Sequence, residues 1–430
     1  MNTIKFFADF YRRFLSQFLI FRLIKHLLLF LVKKNRKLRA MHSRSVLSGS
    51  YKWIALAETQ GIIFRQCITA PEKIFLPSPS FTGFGAAEAS MRTPTRDHTF
   101  PEIAIFSFDG ATIVGGTDFV LQGNQMIHHD LYIPSEHQCP AENIGLIDRH
   151  KDNKTVDLWL TLAPSSLESG VSMISQCSGN YAHWLTETLP KLALLDSIAL
   201  FDRTPLLIDD HLHPNIIQSL NLLNKKNRQV ITVSKWAPVT VNQLIAISNP
   251  GYERYASNGL LSKEPEPYVN KFSAYALKLL RESIINALLE LKNSGQSHSD
   301  LVYLARSHSS KNLRQIINAT ELEAFLDAQH VQRVESDHLT FIQQVQACMS
   351  AKLIVSPIGA ALTNMIFAPT GCKIICLSPY YDDANYFYYA NLAATLGHEI
   401  HFVLGQQAPT DKHPMHKDYS INVELLKPYF

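Results

Sequence analysis

The chain has 430 residues, 46% hydrophobic and 18% charged, a balance that excludes a disordered or fibrous protein and a length that suits two or three domains. Residues 1–44 hold eleven Lys or Arg against one acid, Asp9, while the whole chain carries only +3, so the body beyond this tail is mildly acidic. Nucleic-acid binders carry their basic residues on the folded body, and this distribution argues against nucleic acid as a partner.

In the tail, apolar clusters (Phe6-Phe7, Phe18 to Phe21, Leu27 to Val32) alternate with Arg12-Arg13, Arg22 and Lys25. The longest uninterrupted apolar run is six residues, whereas a spanning helix needs about 20. No small-residue cleavage site follows a clean apolar core. The pattern predicts a basic amphipathic helix on an anionic membrane surface, with packing against the body or a partner as the alternative. The six cysteines are scattered and form no CxxC pair. That points to reduced thiols in the cytoplasm and to no zinc site. The expected location is therefore the inner face of the cytoplasmic membrane.

Residues 45–165 read as short strands, among them 61–67, 103–108, 111–114, 126–128 and 156–162. Turn signals such as Asp109-Gly110 separate them. From 171 the pattern becomes strand 171–177, helix 181–195, strand 206–208, helix 214–223, then strands 230–233 and 244–247. Such βα alternation predicts a parallel sheet. Pro250-Gly251 and Glu264-Pro265-Glu266-Pro267 bracket a linker. Beyond it come helix 268–292 and strands 301–305, 331–334, 353–355, 373–377 and 399–403, with helices 321–328, 340–350, 363–367 and 383–396 between them. The expected fold is α/β, with two Rossmann-type domains facing a cleft. The expected division is a membrane-associating segment 1–44, an acceptor-side domain 45–265 and a nucleotide-sugar-binding domain 266–430.

Three segments fall at strand ends, where ligands of such sheets bind. Gly179 to Pro190 opens a helix and places His183 and Glu187 four residues apart, on one face. A carboxylate beside an imidazole there suits deprotonation of a hydroxyl. The simpler reading makes Asn180 a cap, Trp184 core and the pair solvated. Arg306, Lys311 and Arg314 follow the 301–305 strand, and guanidinium forks suit phosphate oxygens; a solvated basic loop is the alternative. Ser356-Pro357-Ile358-Gly359-Ala360-Ala361-Leu362-Thr363-Asn364 lies between a strand and a short helix. Its small residues admit a ligand against backbone amides, or else make a tight packing turn. No Asp-x-Asp triplet occurs, so the closely spaced carboxylates that clamp a nucleotide sugar through a divalent metal are missing.

In this order the segments resemble glycosyltransferase family 61, whose bacterial members are often labelled capsular polysaccharide biosynthesis proteins. The likeness lies in Asn180-Tyr181-x-His183-Trp184-x-x-Glu187-x-x-Pro190, in Arg306, Arg314, Asn318 and Glu321-Leu322, and in Gly359-Ala360-Ala361-Leu362-Thr363-Asn364. It continues to Leu392-Ala393-x-x-x-Gly397-His398 and covers roughly residues 170–405. The resemblance implies a GT-B fold, inversion at the anomeric carbon and no required metal or cofactor. The co-substrate would be a nucleotide sugar, UDP-linked on this reading, and the acceptor a glycan or lipid-linked glycan. Glu187, oriented by His183, would be the base, with Asn180, Tyr181 and Trp184 on the acceptor side. Arg306, Lys311, Arg314, Ser356, Gly359, Ala360, Leu362, Thr363 and Asn364 would bind the donor. One departure stands out: many relatives have His where this chain has Ile358. The rival readings are a degenerate, non-catalytic binder of glycan or nucleotide sugar, and a transferase using a CDP-linked non-sugar donor.

Overall fold

The computed structural model describes residues 47–137, 139–253, 270–291, 299–307, 314–382 and 384–430, with positions 27, 30, 31 and 34 of the tail. Most of the expected amphipathic segment, the Glu264–Pro267 linker and Lys311 lie outside the described residues. Within the tail, Leu27, Phe30 and Leu31 are helical and exposed. Among the described residues no helix is long and apolar enough to cross a membrane.

The chain is a mixed α/β protein organised by two large sheets. In the first, β1 (Ile103–Val114), β2 (Ser165–Ser172), β3 (Leu206–Asp209), β4 (Val230–Val233) and β5 (Pro238–Ile247) lie in the order β4-β3-β2-β5-β1. The first four are parallel and β1 runs antiparallel to β5. Short strands from residues 49–158 extend the sheet beyond β1. Asp109-Gly110, a turn signal in the sequence, lies inside β1 instead. Pairing with β5 on both sides carries the strand across it, and Gly110 takes up the kink at φ 65°.

The second sheet has β6 (Leu301–Ala305), β7 (Gln332–Glu335), β8 (Leu353–Pro357), β9 (Lys373–Pro379) and β10 (Glu399–Gln407), all parallel, in the order β7-β6-β8-β9-β10. This is a doubly wound order with its switch point between β6 and β8. The strand Ser80–Gly83 joins the outer edge of β10, parallel to it. There Ser80 Oγ and Thr82 Oγ1 bond the two ring nitrogens of His401, at 2.5 and 2.9 Å. An early segment thus completes the late sheet.

Helices cover the sheets. They are α1 (residues 181–196), α2 (Pro214–Leu223), α3 (Ala274–Glu290), α4 (Ala319–Ala328), α5 (Phe341–Cys348) and α6 (Phe387–Thr395). α3 starts later than the periodicity suggests because Lys271–Phe272 pairs as a strand with Gly251–Tyr252, and Ser273 then caps the helix by accepting from Ala276 N. Its buried stripe, Leu277, Leu280, Ile284 and Leu288, packs on α1, α2 and the 3-10 helix Ala360–Phe367. Each such side chain contributes about 1.5–3 kcal/mol. One apolar core therefore runs through both halves, from Ile245 of β5 through Leu192 and Leu280 to Ile354 of β8.

A polar contact also crosses between the halves. Tyr181 donates to Asn364 Oδ1 at 2.7 Å, and the Asn364 amide donates to Gln344 Oε1 and the Ala361 carbonyl. Tyr181→Phe should lower stability to denaturant by about 1–2 kcal/mol, because it leaves a buried acceptor unpaired. An unchanged unfolding midpoint would show that this contact does not join the halves.

Candidate active site

The chain leaves β2 for β3 and β4 on one side, then returns to β2's other edge as β5. The crevice at the carboxyl ends of β2 and β5 is the switch point of the first sheet, the place where such sheets hold ligands. The connection after β2 enters α1, where the Asn180 side chain caps by accepting from Ala182 N at 3.0 Å. The helix is α-helical over Tyr181–His183, π-helical over Trp184–Thr188 and α-helical again over Leu189–Asp196. Pro190 accounts for the break. It has no N–H for the Thr186 carbonyl and its ring crowds that oxygen, and Leu189 N bonds back to Trp184 O, five residues earlier. The sequence periodicity anticipated a plain α-helix here; π segments of this kind often mark functional sites.

The return from β5 meets this segment. A Cβ on Gly251 would lie 2.6 Å from the Thr186 carbonyl oxygen, so only glycine lets the backbone pass so close. Two residues on, Glu253 N donates to Glu187 Oε1 at 3.0 Å. The same oxygen lies 2.8 Å from His183 Nδ1, and His183 Nε2 lies 3.3 Å from Glu253 Oε2. The imidazole is clamped between two carboxylates. Side-chain exposure is 4% for Glu187, 11% for His183 and 29% for Glu253.

Burial works against the His183 charge, but Glu187, Glu253 and Asp118 outweigh it and lift its pKa to about 9. Burial raises the Glu253 carboxyl, His183 opposes that and Glu187 adds to it, leaving a pKa of about 7. The cluster therefore holds an imidazolium at neutral pH, with a carboxyl near neutrality at its accessible end. Glu253 is absent from the sequence expectations. It stands 66 positions from Glu187, and the Pro250-Gly251 signal beside it reads as a linker.

Of the other residues expected here, Trp184 is fully buried and donates from Nε1 to Ser219 Oγ at 2.8 Å. It is core. Tyr181 bonds Asn364, so a residue expected beside the acceptor and one expected beside the donor meet each other. Asn180 is exposed at the helix start.

The second crevice lies between β6 and β8. Arg306 follows β6 and spans it, donating from Nη2 to the Ile358 carbonyl at 2.8 Å and from Nη1 to the Arg314 carbonyl at 3.1 Å. A Cβ on Gly359 would come within 2.5 Å of Arg306 Nη2. Glycine leaves room for the guanidinium against this turn. Arg314 has a left-handed backbone, φ 83°, held there by Asp418 Oδ1, which accepts from Arg314 N and Gln315 N at 3.1 and 2.8 Å. Strain of this kind in a non-glycine residue persists only where its surroundings enforce it. Among the described residues, nothing bonds or ion-pairs with the Arg314 guanidinium. Burial, and then the charge of Arg314, both disfavour the protonated form of Arg306. An anion placed between the two would relieve this.

Ser356, Leu362, Thr363 and Asn364 are fully buried, with Ser356 Oγ turned onto the Pro357 carbonyl. Ala360 is exposed and Gly359 and Ala361 half-exposed, so this turn offers a ligand its backbone rather than those side chains. Tyr388 and Tyr389 of α6 sit between the two crevices. Tyr388 OH lies 3.3 Å from Thr186 Oγ1, while Tyr389 feels both the Glu253 carboxylate and the Arg314 charge. Tyr389 thus lies within electrostatic range of a residue from each cluster. Among the described residues, no group of three or more His, Cys, Asp or Glu side chains is placed to hold a metal ion.

Two outcomes follow. Gly251→Ala should push Glu253 off the cluster and lower the melting temperature by several degrees, equivalent to about 1–3 kcal/mol; an unaltered melting curve would deny the close approach. His183 has a raised folded pKa, so its charge contributes stability fully below about pH 6.5 and loses it as pH rises through about 9. The stability gap between the wild type and His183→Gln should therefore close over that interval in urea titrations.

Residues 181–375 match the family model described as Glycosyltransferase 61. No curated protein matches the chain. The matched stretch starts at the first residue of α1, includes His183, Glu187, Glu253, Arg306 and Arg314, and ends within β9. Residues 181–375 of this chain thus form a glycosyltransferase family 61 domain.

Proposed function

We propose that the protein is an inverting, metal-independent glycosyltransferase of GT-B arrangement, and that it moves a sugar from a nucleotide donor to a glycan hydroxyl. The observation that carries this reading is the His183–Glu187–Glu253 cluster at one switch point and the Arg306–Arg314 pair at the other, with Tyr389 in electrostatic range of Glu253 and Arg314. The donor diphosphate lies against Arg306, Arg314 and the backbone of Gly359 to Ala361. The acceptor hydroxyl sits at Glu253. As its oxygen attacks the anomeric carbon from the face opposite the diphosphate, its proton passes to the Glu253 carboxylate. The bond from the anomeric carbon to the diphosphate oxygen breaks, and the electron pair stays on that oxygen beside the two guanidiniums. Stabilising this departing charge supplies much of the rate.

Glu187, the base suggested by sequence spacing, is too enclosed to meet an acceptor and acts through His183. A Glu253 pKa near 7 suits a general base, which works best when its pKa lies close to the operating pH. The exposed Leu27, Phe30 and Leu31 share one side of a helix turn in a strongly basic tail. On this reading the tail lies on the inner face of the cytoplasmic membrane, next to a lipid-linked glycan of capsule or other surface polysaccharide.

Thermal melts with UDP, GDP, CDP and ADP, with and without EDTA, test the donor site. One nucleotide class should stabilise the protein, by about 2.7 kcal/mol at 100 times its dissociation constant. EDTA should leave that shift intact and Arg314→Ala should abolish it. In a transfer assay with the matching sugar nucleotide, Glu253→Gln should lower kcat by about 10²–10⁴-fold while the nucleotide shift remains. A nucleotide shift with no turnover from the wild type would instead favour the non-catalytic binder, with Ile358 as the site of the loss. A shift confined to CDP compounds would favour a non-sugar donor.

A further inference from the structure

One turn beyond Glu187, α1 carries a lysine that the transfer reading leaves unused. Lys191 is 5% exposed. No described residue accepts a hydrogen bond from its ammonium group. It lines a cavity of about 50 Å³ whose polar wall also includes Asp118, His128, His129 and Asn249. His129 is equally enclosed, and neither of its ring nitrogens has a hydrogen-bond partner. Asp118, Glu187 and Asp209 surround Lys191 within electrostatic range. Asp209 is anchored by Gly116 N, Ser175 N and Ser178 Oγ at 2.6, 3.0 and 2.6 Å, and Asp118 by Gln176 N at 3.1 Å. Burial pushes the Lys191 ammonium down from its ordinary pKa, and the carboxylates of Asp118, Glu187 and Asp209 oppose that push.

We propose that Lys191 and Asp118 are positioning residues: a buried pair of opposite charges, behind the His183–Glu187–Glu253 cluster, that sets the proton affinity of that cluster. Lys191 sets a positive charge on the buried side of Glu187, whose Oε1 lies 2.8 Å from His183 Nδ1. Asp118 limits that effect, since it borders both Lys191 and Glu187. The rest of the surroundings are accounted for. Cys177 from the connection after β2, and Tyr388 and Tyr389 from α6, face the carboxylates and are pushed upward by burial, so they stay neutral at pH 7. His128 and His129 on the cavity wall are pushed down by burial and are neutral too, with His137 beyond them. Lys235 reaches the Cys177 side of the cluster. Asp209 is tied to its three donors. Among the described residues, the charges that bear on Glu187 from behind are therefore Lys191 and Asp118.

The role rests on the transfer reading, but its test has a readout that needs no turnover. The His183 ring titration is followed by NMR in protein labelled on histidine and assigned with His183→Gln. The pH profile of kcat/KM for transfer is measured alongside. Lys191→Met removes a positive charge, so the His183 midpoint and the acid limb of the profile should both move up by about one pH unit. Asp118→Asn should move both down, the double variant should return both toward the wild type, and Lys191→Arg should leave both in place. Lys191→Gln replaces Lys191→Met if the latter does not fold. Midpoints and limbs that stay put in folded variants, or single variants that move them in the same direction, would overturn the inference and leave Lys191 a packing residue. Shifts of the stated signs in a protein with no transfer activity would uphold the charge pair and sink the transfer reading.

Discussion

The Thr186 carbonyl receives no hydrogen bond from residue 190, because residue 190 is proline, and the geometry of the first crevice depends on that fact. The π segment it produces widens one turn of α1 in the stretch that carries His183 and Glu187. Gly251 then fits its backbone against the same carbonyl and delivers Glu253 to the far side of the imidazole. A regular helix, or a side chain at 251, would separate the three groups. Proline and glycine here act together, one by withholding a donor and the other by withholding a Cβ.

The two crevices are opposite in charge. One gathers carboxylates around an imidazolium and the other sets two guanidiniums against a glycine turn. Both sit at places where adjacent parallel strands send their connections in opposite directions, which opens a gap between loops that no other part of the sheet provides. Each also holds charge at a cost: His183 and Glu253 are partly desolvated, and Arg314 keeps a left-handed backbone. Such costs are tolerable because the scaffold around them is stiff. α3 and the 3-10 helix Ala360–Phe367 share a core with α1, Tyr181 is tied to Asn364, and the strand Ser80–Gly83 sews the early chain onto the late sheet. Large swings between the halves would have to break these ties.

The alternation of strands and helices, the Asn180 cap and the pairing of His183 with Glu187 are local matters, settled by residues within a turn or two of each other, and they are legible in the sequence. So is the family, because its signature is an ordered run of such local patterns. The sequence also placed Arg306 and Arg314 at a strand end, since a strand's end is itself a local signal. What stayed hidden required long-range closure. Glu253 lies 66 residues from its partner, Asp118 is further still from Lys191, and the N-terminal strand joins a sheet built some 300 residues later. Burial is a property of the packed whole, so the sequence could not say that Leu362, Thr363 and Asn364 face the core or that Glu187 is nearly closed off. Helix period and charge pattern are written along the chain; which carboxylate meets solvent, and which lysine is held behind it, is decided only when the two sheets come together.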